Sequence, residues 1–149
     1  MLMNGLRYWL CVFATVVSDL FVTVTVQAQS PFPISSCPYN IATAGNYAVT
    51  SNLMATGTCI TIAVSPPGLL DVAIDLQGHS VTGDGTGYGI VCFSPNVFGF
   101  PCNHVLVANG TVTGFSTGIF LYGHSNTIAN MTVRGSTGSS LALKVTETV

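Results

Sequence analysis

The stretch HVLVANGTVTGFSTGIFLYGHSNTIANMTVRGSTGSS, from His104 to Ser140, nearly repeats itself. LVANGTVTG (Leu106–Gly114) returns as TIANMTVRG (Thr127–Gly135), and DLQGHSVTG (Asp75–Gly83) is an earlier version of both. Aligned on their last glycines, Gly83, Gly114 and Gly135, the copies stand 31 and then 21 residues apart. The surplus sits in FSPNVFGFPCN (Phe93–Asn103), which follows Cys92 and includes Cys102, and without it the interval is close to 21 throughout. A fixed period of twenty-odd residues marks a stacked repeat architecture, in which one unit cannot bury its apolar face alone.

Inside each unit the apolar residues alternate. Val72, Ile74 and Leu76 share one parity, then Val105, Val107 and Val112, then Ile128 and Val133. A further short run follows each anchor glycine: GIVCF (Gly89–Phe93), GIFLY (Gly118–Tyr122) and SLALKV (Ser140–Val145). Period-two alternation over such short runs is strand behaviour. The pattern predicts about three short strands per unit, separated by turns. Gly78, Asn109 and Asn130 share one alignment column, which suits a left-handed backbone or a side chain that bonds neighbouring backbone. Ser80, Thr111 and Thr132 share another, where stacked hydroxyls are expected to bond along the axis. A looser copy, Gly45–Val64, is expected to form the first coil, and SPPGLLD (Ser65–Asp71) to turn into the next. The expected architecture is an all-β, single-stranded solenoid, a parallel β-helix of about four coils. A β-sandwich is the alternative, but it does not require the same residue types to recur at a fixed interval.

Residues 1–28 read as a secretory signal helix. Arg7 supplies the positive n-region, YWLCVFATVV the apolar core and Val26-Gln27-Ala28 the small-residue cleavage site. Asp19 interrupts the apolar run, which disfavours the alternative of an uncleaved membrane anchor over Tyr8–Val26. Lipidation of Cys11 is a weaker alternative, since YWLC lacks a small residue before the cysteine. The remaining divisions are an N-terminal segment or cap over 29–44, the repeats over 45–145, and a tail over 146–149. Beyond Ala28 the only charges are Arg134 and Lys144 against Asp71, Asp75, Asp84 and Glu147. So neutral a chain has no basic patch for nucleic acid, and its many Val, Ile and Leu residues argue against disorder. Four cysteines remain after cleavage, an even number that favours disulfides in an exported chain. Of three connectivities, Cys37–Cys59 with Cys92–Cys102 closes the shortest loops. A zinc site is the competing use, without a CxxC pair or a histidine at ligand spacing to support it.

GNYAVTSNL (Gly45–Leu53), VAIDLQGHSVTG (Val72–Gly83) and NGTVTGFSTGIFL (Asn109–Leu121) resemble coils of the pectin-lyase-like family. The resemblance runs from about Cys37 to Val145 and implies a right-handed parallel β-helix. It does not choose an activity, because that family holds lyases, hydrolases, epimerases, adhesins and proteins with no known reaction. Members resembling pectate lyases hold calcium on several aspartates and use an arginine as base. Here Asp71, Asp75, Asp84 and Arg134 are the corresponding residue types, but the alignment continues Asp75 as Leu106 and Thr127, and a hard cation wants six or more oxygens. Members resembling polygalacturonases pair aspartates beside Gly-His-Gly. This chain has Gly78-His79-Ser80 and Gly123-His124-Ser125, and no Asp-Asp pair for acid–base hydrolysis.

His104 and His124 sit in nearly equivalent turns one column apart, a weak candidate pair for copper or zinc. Asn109-Gly110-Thr111 and Asn130-Met131-Thr132 are glycosylation sequons whose asparagines belong first to the turn column. No catalytic residue, metal ligand or cofactor is assigned. The expected product is an exported or cell-surface, or periplasmic, β-helical protein that binds or displays. Its polar flank and aromatics (Tyr47, Tyr88, Phe98, Phe100, Tyr122) would meet polysaccharide, a cell-surface component or another protein. The alternative is the N-terminal part of a polysaccharide lyase or glycoside hydrolase. SLALKVTETV stops just after a strand, so the last coil is also expected to invite end-to-end self-association.

Overall fold

The structure, a computed structural model, describes residues 30–63, 69–92, 102–135, 137–138 and 141–145. Their regular structure is entirely strand: β1 (Phe32–Ile34), β2 (Tyr39–Ile41), β3 (Gly45–Val49), β4 (Leu53–Met54), β5 (Ile60–Ile62), β6 (Leu69–Asp75), β7 (Ser80–Thr82), β8 (Tyr88–Cys92), β9 (Asn103–Thr113), β10 (Thr117–Gly123), β11 (Thr127–Arg134) and β12 (Leu141–Val145). Every pairing is parallel. A seven-stranded sheet runs β1-β3-β6-β9-β7-β4 with β11 also on β9, and a five-stranded sheet runs β12-β10-β8-β5-β2.

The expected right-handed parallel β-helix, with three separate short strands per coil, is not what forms. Two of the three expected strands of a unit run together as the single strand β9, and again as β11. The first half of β9 pairs with β6 and its second half with β7, while β11 lies along its other edge. The seven-stranded sheet thereby curls like half a barrel, and the five-stranded sheet stands separately. The physical reason lies at Asn109 and Asn130, which adopt φ of 60° and 53°. A single left-handed residue redirects the chain there without breaking the ladder, much as a bulge bends a strand. No helix occurs among the described residues. The expected signal helix over residues 1–28 lies outside them, as do residues 93–101 with Phe98 and Phe100.

The interior is built of in-register files. Leu53, Val81, Val112 and Val133 are partnered in turn across β4, β7, β9 and β11. Ile60, Ile90 and Ile119 form the matching file on the five-stranded sheet and are fully buried. Each such side chain contributes roughly 1.5–3 kcal/mol on burial. Segment 29–44, read from sequence as a cap, gives β1 to one sheet and β2 to the other. Disulfides join Cys37 to Cys59 and Cys92 to Cys102, with Cα–Cα distances of 4.7 and 6.0 Å.

Phe115 fills the corner between the two sheets and is completely buried. Its ring takes the space that side chains at Gly83 and Gly89 would need: a Cβ on Gly83 would lie 2.5 Å from the ring. Phe115→Ala should therefore leave a large cavity and cost about 3–5 kcal/mol in a denaturant titration. A loss under about 1 kcal/mol would mean that this corner does not hold the sheets together.

Candidate functional site

The outward face of β3, β6 and the first half of β9 forms an open groove of about 340 Å³. Alternation along the strands places the residues that line it. Asn46, Ala73 and Leu106 make one cross-strand file, and Ala48, Asp75 and Ala108 the next. Three alanines where larger side chains would otherwise stand leave a shallow apolar floor. Pro31, Gln77 and Asn109 complete the rim. On the opposite, inward face of β3, Tyr47 is buried in the core and packs against Phe32 with ring centroids 5.2 Å apart, so it does not join the expected surface aromatics. The Tyr47 hydroxyl donates to the Thr43 carbonyl at 2.8 Å, which fixes that end.

A polar rail runs along the other side. Asp75 Oδ1 accepts from the Gln77 backbone N–H at 2.8 Å and from Asn109 Nδ2 at 3.1 Å. Asn109 Oδ1 in turn accepts from Asn130 Nδ2 at 3.1 Å. An ionised carboxylate only accepts, so Asp75 orients Asn109, and Asn109 orients Asn130. The amide dipoles therefore align in one direction, each bond polarising the next. Each amide nitrogen keeps a second hydrogen for a ligand, and Asp75 keeps its other oxygen.

The residues singled out in the sequence fall in different places. Asp75 joins the rail, but its cross-strand partner is Ala108, not Leu106. Four residues (76–79) round the bend after β6 where two (109–110) suffice in β9. Arg134 lies opposite Thr113 at the end of β11, in a different file, and the structure does not bring Asp75 and Arg134 together. Asp71 meets His104, its Oδ1 3.1 Å from Nδ1. Both are exposed, and such a surface pair contributes little. His104 and His124 are on adjacent rungs, the His104 N–H donating to the His124 carbonyl at 3.2 Å. No cluster of three or more metal-ligating side chains occurs among the described residues. His79 is half-buried and accepts from Thr111 N–H through its carbonyl, a turn role.

Asp84 belongs to another bend. The Thr86 hydroxyl, the Thr86 N–H and the Gly57 N–H hold its carboxyl below the ordinary 3.8. Tyr88 packs against Phe120 on the five-stranded sheet, with centroids 6.0 Å apart.

The groove residues Asn46, Ala48, Ala73, Gln77 and Ala108 lie inside the quoted repeats, but nothing in those repeats marks them as a site. A second set of asparagines also went unnoticed: Asn52, Asn103 and Asn126 accept from the backbone N–H of Ser80, His124 and Val105. Their own spacing gave no signal, since Asn103 and Asn126 are 23 residues apart; the repeat interval of 21 separates each from its bonding partner, His124 and Val105.

The chain matches no family model, no curated protein and no solved structure.

Asn109 both bends β9 and carries the rail, and two substitutions separate these roles. Asn109→Gly keeps the left-handed backbone and should cost under about 1 kcal/mol. Asn109→Ala loses the amide and strains the backbone, at about 1–2 kcal/mol more. Equal chemical-denaturation midpoints for the two variants would show that the backbone conformation at 109 is not under strain.

Proposed function

We propose that the chain is an exported binding protein whose groove takes a segment of polysaccharide at or outside the cell surface. The observation that carries this is the Asp75–Asn109–Asn130 rail beside a floor of Ala48, Ala73 and Ala108. A sugar ring presents an apolar face and a hydroxylated edge together, so a ligand of that kind satisfies floor and rail at once. The groove is open and crosses three strands, which suits an extended chain over a compact metabolite. Export rests on the signal-like segment 1–28 and on two disulfides, which persist in oxidising compartments.

Binding is favoured over hydrolysis because Asp75 is the one carboxylate among the groove-lining residues. Acid–base cleavage of a glycoside uses two carboxyl groups. Lyase chemistry of the calcium-dependent kind needs a cage of oxygens that a single aspartate does not supply.

The test is calorimetric titration of the disulfide-bonded chain against soluble plant and microbial polysaccharides. At least one neutral or weakly charged polymer should bind. Ala73→Trp, which fills the trough, and Asp75→Ala, which removes the terminal acceptor, should each weaken binding by roughly tenfold, about 1.4 kcal/mol. Absence of binding across the panel, or full affinity in Ala73→Trp, contradicts the proposal. So does release of shortened products from the bound polymer.

A further inference from the structure

The rail uses the side chains of Asn109 and Asn130, but not the sequons to which they belong, Asn109-Gly110-Thr111 and Asn130-Met131-Thr132. The two triplets are in register, Met131 opposite Gly110 and Thr132 opposite Thr111. Both asparagines are exposed and left-handed, at the bend of their strands. On the face past the bend, Ser80, Thr111 and Thr132 stand in one file. The expected bonding between their hydroxyls does not form among the described residues. The hydroxyl that a sequon requires is therefore uncommitted in both triplets.

The surroundings of the two amides differ. Asn109 is engaged from both sides: its Nδ2 donates to Asp75 Oδ1 at 3.1 Å, and its Oδ1 accepts from Asn130 Nδ2 at 3.1 Å. The backbone beside it is enclosed too, since the Gly78 N–H donates to the Asn109 carbonyl and a Cβ on Gly110 would run into Leu76. Asn130 spends one amide hydrogen on Asn109, and among the described residues its strand pairs with β9 alone. A substituent in place of the second hydrogen of Asn130 leaves both rail bonds standing. On Asn109 the same substituent would stand between Asp75 and Asn130, over a groove whose rim Asn109 forms and Asn130 does not. The two amides are in direct contact, so sugar rings attached to both would compete for one space.

We propose that Asn130 is the acceptor of an N-linked oligosaccharide and that Asn109 stays unmodified. In the transfer, Asn130 Nδ2 bonds to the anomeric carbon of a polyprenyl-pyrophosphate-linked oligosaccharide. The bond from that carbon to the pyrophosphate oxygen breaks with its electron pair, and the amide gives up one proton. One N–H remains to donate to Asn109, and the groove keeps the second hydrogen of Asn109 and the free oxygen of Asp75. The proposal rests on the export reading, because such transfer takes place on the exported side of a membrane. It does not depend on what the groove binds.

The test expresses the full chain, residues 1–28 included, in a eukaryotic secretory host. Protein from the medium is deglycosylated by peptide N-glycosidase in heavy-oxygen water, which turns a glycosylated asparagine into labelled aspartate that peptide mass spectrometry locates. Asn130 should carry the label and Asn109 should not. Thr132→Val keeps Asn130 and its bond to Asn109 but ends the sequon, and should abolish the label together with the gel shift on deglycosylation. Thr111→Val should leave both. Secreted protein without label at Asn130, or labelled at Asn109 in its place, overturns the proposal and leaves export standing. A chain found only in the cytosol, with residues 1–28 uncleaved, contradicts the export reading and the proposal with it.

Discussion

Backbone pairing along both edges of β9 is the constraint from which the rest of the molecule follows. On one edge β6 and β7 share the strand, and on the other β11 follows it from Leu106 to Thr113. Parallel in-register pairing superimposes like positions of successive repeats. That pools valines and isoleucines, too few in any one repeat to exclude water, into continuous files. The same register fixes the exterior, so small residues meet small residues in the groove and hydroxyls meet hydroxyls beyond it. Inside and outside are two consequences of one alignment.

The left-handed asparagines convert this ladder into two differently oriented faces. Asn109 and Asn130 are stacked, turn the chain at the same height, and bond to each other through their side chains. Because they bend the strand without interrupting it, groove and hydroxyl face belong to one sheet. The amides that mark the bend also form the edge of the groove, so a residue required by backbone geometry becomes available for recognition. Asp75 ends the row and sets the direction of every amide in it.

The register of the later repeats was legible in the sequence. The alignment of Leu106–Gly114 with Thr127–Gly135 is the pairing of β9 with β11. Alternation also placed the interior residues, because a period of two leaves only one face to bury. Other features were not legible, for identifiable reasons. Anchoring the earliest copy on Gly83 set Asp75 opposite Leu106, since nothing in DLQGHSVTG shows that its bend consumes two extra residues. A left-handed asparagine was foreseen at 109, but as a turn between strands. Sequence does not distinguish a residue that ends a strand from one that bends it, and this decided two sheets over a regular coil. PFPISSCPYN falls in the segment 29–44 read as a cap, yet Pro33 sits on the outermost strand, where a missing N–H costs no ladder bond. The groove was invisible because alanine on an outward position signals nothing until its neighbours are known.

The most direct measurement of the pairing is a set of interstrand nuclear Overhauser contacts in isotope-labelled, disulfide-bonded protein. Val112 should show contacts to Val81 on one side and to Val133 on the other, with the amides of β9 protected from exchange along the whole strand. Contacts from Val112 to neither valine, or rapid exchange at Gly110 and Thr111 with β9 divided at Asn109, would contradict the account.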